Sequence, residues 1–258
     1  MSIVVPSIDH RLAMRERPTG FPVMRQRWAD LLFLHWRVPV ETIAARLPAG
    51  LHVDTFDGSA WLGVVPFFME RVRPVLLPPA PGISWFMELN VRTYVHDDEG
   101  NPGVWFFSLD CNQPLAVEIA RRAFHLPYEH ASMREERAAE RIYYECRRDG
   151  HDTKAVFDYE PAGDQALPAA EGSLEWFLVE RYLLISADGR GRLHRGRVHH
   201  APYRISEAKC AQWSAEPLRW DGFAVPKTAP ESALVAKPVD VRVFPLAAAR
   251  GEADGFPR

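Results

Sequence analysis

The chain has 258 residues, of which 47% are hydrophobic and 25% are charged, and its formal net charge is −3. These values are typical of a globular protein with a sizeable core. Nucleic acids and anionic membrane surfaces are bound by clustered basic faces, so the slightly acidic charge and the pI near 6.4 argue against both partners.

The composition also bears on redox state, compartment and cofactors. The three cysteines are odd in number and widely spaced, which predicts reduced thiols in a cytoplasmic protein. The N-terminal apolar run is too short for a signal peptide, and no later run approaches the length of a membrane span. The histidines lack the spacing of a known metal site, so we predict neither a metal nor another cofactor.

The chain divides into three predicted parts. Residues 1–24 are polar and interrupted by prolines, and we interpret them as an arm that packs loosely or crosses to a neighbouring subunit of a homo-oligomer. Residues 25–249 are predicted to form one domain, followed by a tail at 250–258. The domain is predicted to begin with a strand at 31–38, a short helix at 40–47 and two strands at 51–56 and 60–73.

The next stretch contains the hairpin on which the site hypothesis depends. Apolar and polar residues alternate from 85 to 95, which is the period of a strand. Turn-forming residues at 96–103 predict that a second strand at 104–110 folds back antiparallel to the first. If the register permits, the two strands present one polar patch, composed of Glu88, Asn90, Arg92, Ser108 and Asp110.

A short amphipathic helix is predicted after the hairpin, with Asn112 as its N-cap and Pro114 in its first turn. It ends before Pro127, because the residue preceding a proline is pushed out of the α region. The remaining predicted elements are hairpins at 141–160 and 182–199, a helix at 174–181, and strands at 204–213 and 236–244.

Two segments resemble acetoacetate decarboxylase. In that family a Gly-Arg-Glu run leads into an aromatic-Pro-Lys-Lys segment, whose first lysine forms a Schiff base with the substrate. Here Ala120-Arg121-Arg122 leads at the same spacing into Leu126-Pro127-Tyr128-Glu129. Arg121 matches the motif, whereas Tyr128 and Glu129 occupy the positions of the two lysines. The segment at 40–54 is similar to the one that follows the first strand in those enzymes.

The whole chain resembles more closely the uncharacterised bacterial YqjF-like family, through the stretches NVRTYV, FFSLD, ARRAF-LPY and ERY. The resemblance covers roughly residues 20–246 and carries no established activity. It implies an α+β, β-rich fold, an acetoacetate decarboxylase-like β-barrel with a few short helices. It also implies strands at 130–140, where the residues themselves are good helix formers and propensity is a weak guide.

The resemblance further implies that the polar face of the hairpin points into the barrel. There a carboxylate, an amide and a guanidinium need one another or a ligand, whereas on an outward face they would simply be solvated. For the inward arrangement we predict a catalytic set, Glu88, Arg121 and Tyr128, and a ligand-binding set, Asn90, Arg92, Ser108 and Asp110.

Two functions stay open on the sequence alone. The first is a lyase-like enzyme in which Arg121 and Arg92 hold a carboxylate, Glu88 moves a proton and Tyr128 donates one. A phenol cannot form an imine, so this chemistry would not use a Schiff base. The second is a non-catalytic protein that binds a small anionic or oxo-acid-like molecule. Tyr128 would then only pack in the core with its hydroxyl hydrogen-bonded.

Overall fold

The computed structural model describes residues 3–163 and 165–249, and strands dominate it. The helices are α1 (Ile8–Arg15), α2 (Val40–Ala44), α3 (Pro114–Phe124), α4 (Leu174–Val179) and α5 (Glu216–Trp220). The strands are β1 (Met24–Ala29), β2 (Leu31–Val38), β3 (Leu51–Val53), β4 (Ala60–Pro74), β5 (Phe86–Asp97), β6 (Pro102–Cys111), β7 (Tyr128–Ala138), β8 (Arg141–Arg148), β9 (Ala155–Pro161), β10 (Leu167–Pro168), β11 (Leu183–Ala187), β12 (Leu193–His199), β13 (Arg204–Gln212), β14 (Ser232–Ala236), β15 (Val239–Val243) and β16 (Ala247–Ala248).

Most of the predicted elements are present. The predicted α+β, β-rich fold is confirmed, as are the central hairpin of β5 and β6 and the strand at 130–140, which is β7. The strand predicted at 236–244 is present as β15, but it begins at Val239, and β14 on the other side of Pro238 was not predicted. A proline has no N–H to donate to a ladder, so the strand is interrupted there.

The strand pairings close two rings that share β4, β5 and β6. The first is a seven-stranded ring in the order β1-β15-β12-β11-β6-β5-β4, which closes because β4 pairs with β1. The second is a nine-stranded ring in the order β4-β2-β14-β13-β9-β8-β7-β6-β5. Each shared strand therefore turns one face to the seven-stranded ring and the other face to the nine-stranded ring. Its side chains project alternately into the two ring interiors.

Two apolar clusters lie inside these rings. One joins Leu109 of β6 to Val198 of β12 and Val241 of β15, and it lies inside the seven-stranded ring. The other joins Leu89 of β5 to Tyr144 of β8, inside the nine-stranded ring. The polar residues of β5 at even positions therefore share the seven-stranded ring with the first cluster.

The N-terminal arm contains α1, which the sequence analysis did not predict. None of its residues is fully buried, and polar contacts hold it in place together with the packing of Met14 against an apolar cluster. Both terminal nitrogens of Arg11 donate to Asp54 at 2.6 Å, and Arg197 donates to the Met14 carbonyl at 2.8 Å. Whether the arm also crosses to a neighbouring subunit, and whether the chain forms a homo-oligomer at all, stay predictions.

The tail predicted at 250–258 lies outside the described residues. In the part of the chain that the structure describes, no helix is long and apolar enough to cross a membrane.

Candidate active site

Glu88 and Tyr128 meet inside the seven-stranded ring. Glu88 lies near the start of β5 and is 3% exposed, and Tyr128 is the first residue of β7 and is 8% exposed. The Tyr128 hydroxyl donates to a carboxylate oxygen of Glu88 at 2.7 Å. This contact brings together two of the three residues predicted to be catalytic, although they are 40 positions apart in the sequence.

Burial changes the protonation of both groups. It raises the pKa of Glu88 to about 8, because water no longer solvates the carboxylate; the Tyr128 hydrogen bond opposes the rise and the charge of Asp110 adds to it. Burial also raises the pKa of Tyr128 well above 10, and the neighbouring Glu88 adds to the rise. Near pH 7 the pair is therefore mainly a neutral carboxylic acid next to a neutral phenol.

Asn90 and Arg92 continue the same face of β5 beyond Glu88. Asn90 is 5% exposed, and its side-chain oxygen has no hydrogen-bond partner among the described residues. Arg92 is half-buried, and one terminal nitrogen donates to the Leu178 carbonyl at 3.0 Å and to the Tyr94 hydroxyl at 3.2 Å. Glu88, Asn90 and Arg92 therefore form the inward row that the alternation predicts.

Ser108 and Asp110 do not join this row, and the prediction of a single five-residue patch is wrong. The register pairs Leu89 with Asp110 and Val91 with Ser108, and directly paired residues of antiparallel strands project from the same face. Ser108 and Asp110 therefore lie with the odd-numbered residues of β5, inside the nine-stranded ring. Sequence alternation defines two faces on each strand but does not define which faces coincide.

Instead, Ser108 and Asp110 belong to a buried network around Arg148 of β8. Arg148 donates to both carboxylate oxygens of Asp110 at 2.5 and 3.0 Å, to Asp221 at 2.6 Å and to the Ser108 hydroxyl at 2.5 Å. Ser108 in turn donates to Asp221 at 2.7 Å. Burial raises the pKa of Asp110 to about 6, with Arg148 opposing the rise, so Asp110 is ionised at neutral pH. The network satisfies its own members, and the predicted ligand-binding role of Ser108 and Asp110 stays a prediction.

Arg121 lies on α3 and is 38% exposed. Its Nε donates to the Tyr128 backbone carbonyl at 2.7 Å, and a terminal nitrogen contacts Glu129 at 3.1 Å. Arg121 thus holds the backbone of Tyr128, and its charge is paired near the surface. Its predicted role as a ligand for a carboxylate stays a prediction, and this geometry favours a role in positioning Tyr128.

We expect Arg121→Ala to lower the free energy of unfolding by about 1 kcal/mol, because one backbone hydrogen bond is lost while its exposed ion pairs contribute little. Arg122→Ala is the matched control, since Arg122 is the next helical residue, is 83% exposed and pairs with Glu118. Its cost should stay below about 0.5 kcal/mol. Equal losses for the two variants in urea denaturation would contradict the positioning role.

The sequence analysis missed three polar residues whose side chains are buried. His35 lies within the apolar run of β2, Arg148 follows three buried residues in the alternating pattern of β8, and Asp221 lies just after α5. A charged residue on the buried face of a strand is a signal of an internal ion pair, so Arg148 could have been found. His35 and Asp221 carry no such local signal.

Comparison with known proteins places the chain in a family. Residues 25–240 match DUF2071, described as an uncharacterized conserved protein. The chain belongs to the DUF2071 family. A similar protein is the uncharacterized protein YqjF of Bacillus subtilis (strain 168), with 38% identity over 231 residues that make up 89% of this chain and 93% of YqjF.

Solved structures show the fold of this DUF2071 member. The enduracididine biosynthesis enzyme MppR, complexed with pyruvate, superposes with a TM-score of 0.62 at 13% identity, covering 90% of this chain and 93% of MppR. An acetoacetate decarboxylase-like enzyme from Sphingomonas wittichii RW1 gives 0.61 at 14% identity, with coverages of 90% and 95%. The acetoacetate decarboxylase of Legionella pneumophila gives 0.61 at 12% identity, with 96% of each chain covered. The predicted acetoacetate decarboxylase-like fold is confirmed.

Proposed function

We propose that this DUF2071 protein binds a small anionic or oxo-acid-like molecule inside the seven-stranded ring, and that Glu88 and Tyr128 move a proton on it. The observation that carries the proposal is the 2.7 Å hydrogen bond between two buried titratable groups on the inward face of the ring. Pairs of titratable groups are costly to bury, and groups with strongly shifted pKa values cluster at functional sites.

The protonation states suit acid–base chemistry. With a pKa of about 8, Glu88 releases and regains a proton near neutral pH, which is the range in which a general acid or base is most effective. Tyr128 stays a phenol at neutral pH and can donate a hydrogen bond to the carboxylate as Glu88 ionises. Arg92, four positions along the same face, supplies the positive charge that would attract an anion.

Only the shared fold supports the choice of oxo acids as the first ligands to test. MppR shares this fold and was solved with pyruvate bound. The proposal also includes an alternative, a non-catalytic binder, in which the same residues hold the molecule without moving a proton.

We expect no Schiff base with pyruvate or acetoacetate, since the four lysines of the chain, Lys154, Lys209, Lys227 and Lys237, are all exposed. An imine needs a lysine amine in contact with the bound carbonyl, and Tyr128 cannot supply one. Borohydride reduction followed by intact mass measurement should therefore leave the mass unchanged. A reduced adduct that maps to one of these lysines would show that imine chemistry has moved to the surface.

The proton-transfer proposal is tested by hydrogen exchange on the ligand. We expect the wild-type protein in D₂O to replace the C–H protons next to the carbonyl of 2-oxobutyrate or 2-oxohexanoate by deuterium. The loss of their signals in proton NMR spectra measures the rate. Glu88→Gln should slow the exchange by roughly 100-fold or more, because a general acid–base group typically contributes 10²–10⁴ in rate. Tyr128→Phe should slow it less, because it removes the phenol proton but keeps the Glu88 carboxyl group.

Glu118→Gln and Tyr143→Phe are the matched controls, since both side chains lie outside the ring interior and lose the same atoms. Both should exchange at the wild-type rate. If the oxo acids bind but exchange no faster than in buffer, the enzyme hypothesis fails and the non-catalytic binder remains.

A further inference from the structure

His35, Gly63 and Arg92 lie side by side on three neighbouring strands. The register pairs His35 of β2 with Gly63 of β4, and Gly63 with Arg92 of β5. A Cβ atom at Gly63 would lie 3.0 Å from the His35 ring and 3.3 Å from Cγ of Arg92. The glycine therefore provides the space in which the imidazole and the arginine side chain approach each other.

Hydrogen bonds fix the state of His35. The Tyr94 hydroxyl donates its one proton to the Leu178 carbonyl at 2.7 Å, so its oxygen accepts from Nε2 of His35 at 2.6 Å. Nε2 thus carries the imidazole hydrogen and Nδ1 a free lone pair. Burial, and next the charge of Arg92, lower the pKa of His35 well below its usual range, so the ring stays neutral.

Three buried polar atoms of His35, Asn90 and Arg92 have no hydrogen-bond partner among the described residues. They are Nδ1 of His35, the side-chain oxygen of Asn90 and Nε of Arg92. Two of them are acceptors in need of a donor, and the third is a charged donor in need of an acceptor. Buried polar atoms in proteins are nearly always satisfied by protein, water or ligand, so these are the atoms that a ligand bound here would contact.

We infer that His35, Asn90 and Arg92 form a subsite that recognises a hydroxyl group next to a carboxylate, and that the ligand is a hydroxylated carboxylic acid. The carboxylate accepts from Arg92, while the hydroxyl donates to His35 or Asn90. The inference rests on the proposed function, because it assigns the same ring interior as the ligand site.

The test uses four six-carbon acids that differ in one group: hexanoate, 2-oxohexanoate, 2-hydroxyhexanoate and 3-hydroxyhexanoate. Calorimetric titration of the full chain should give a Kd for at least one hydroxy acid about three- to tenfold below that of hexanoate, as expected for one added hydrogen bond. Equal values for hexanoate and both hydroxy acids would overturn the inference, since the unpaired atoms would then hold water only.

His35→Gln separates recognition from folding. The glutamine amide can keep the donor to Tyr94 but has no atom at the Nδ1 position, so the melting temperature should stay close to wild type while the preference for the hydroxy acid disappears. His10→Gln, at an exposed position of α1, is the control and should keep the preference. A preference that survives His35→Gln overturns the role of His35.

Failure of the subsite and failure of the proposed function give different results. If the acids bind without any preference for a hydroxyl group while 2-oxohexanoate still exchanges its C–H protons, only the subsite is wrong. If none of the four acids binds, the proposed function is wrong, and this inference fails with it.

Discussion

Replacing Arg148 by methionine is expected to lower the free energy of unfolding by about 3–5 kcal/mol, because it leaves buried carboxylates without a counter-charge. Asp110 is fully buried and Asp221 is 7% exposed, and both accept from Arg148. Methionine keeps much of the side-chain volume, so the loss reports mainly on charge. Urea denaturation at pH 7 measures it.

Arg147→Met is the matched control, since Arg147 is the adjacent, exposed residue of β8 and the same atoms are exchanged. It should cost within about 0.5 kcal/mol. Adding Asp110→Asn to Arg148→Met should recover part of the loss, because it removes one of the uncompensated charges. If Arg148→Met behaves like Arg147→Met, the network contributes nothing to stability.

Glu88→Gln is expected to stabilise the protein, and the gain should grow as pH rises. Glu88 has a pKa of about 8 in the folded state and an ordinary value of 4.5. Between these two pH values the folded state binds more protons than the unfolded state, so wild-type stability falls as pH rises, by up to about 1.4 kcal/mol per pH unit. A glutamine at this position does not ionise and avoids this loss.

The expected difference between Glu88→Gln and wild type therefore increases by roughly 2–3 kcal/mol from about pH 5.5 to about pH 7.5. Denaturation of both proteins at the two pH values measures it, and titrating groups that do not interact with Glu88 cancel because both proteins contain them. Glu118→Gln, at an exposed carboxylate, should differ from wild type by the same amount at both pH values. A difference for Glu88→Gln that does not change with pH would mean that Glu88 is already ionised in the folded protein.

These two predictions separate the roles of the two rings. The Arg148 network is buried, paired and satisfied, so its removal should damage folding. Glu88 is buried without a positive partner at hydrogen-bond distance among the described residues, so its removal should improve stability. A carboxyl group whose ionisation costs stability is often retained for a function, so this result would agree with the proposed role of Glu88.

The local elements follow from the sequence for identifiable reasons. The period-2 alternation across 85–95 and the turn residues after it define the hairpin of β5 and β6, because alternation and turn chemistry act over neighbouring residues. The helix before Pro127 was predicted for the same kind of reason. Its N-cap is Gln113, one residue beyond the predicted Asn112, because the Asn112 side chain instead accepts from the Met87 amide at 2.8 Å.

The site needed the tertiary structure. Sequence alternation placed Glu88, Asn90 and Arg92 on one face, but only the pairing of Leu89 with Asp110 decided that Ser108 and Asp110 project into the other ring. A register is set by packing across strands, and a shift of one residue would have reversed that result. The sequence by itself thus determined which residues alternate and where the chain turns. The partners of Glu88, His35 and Arg148, and the pKa values that burial gives them, depend on contacts between residues 38 to 73 positions apart, which no local pattern encodes.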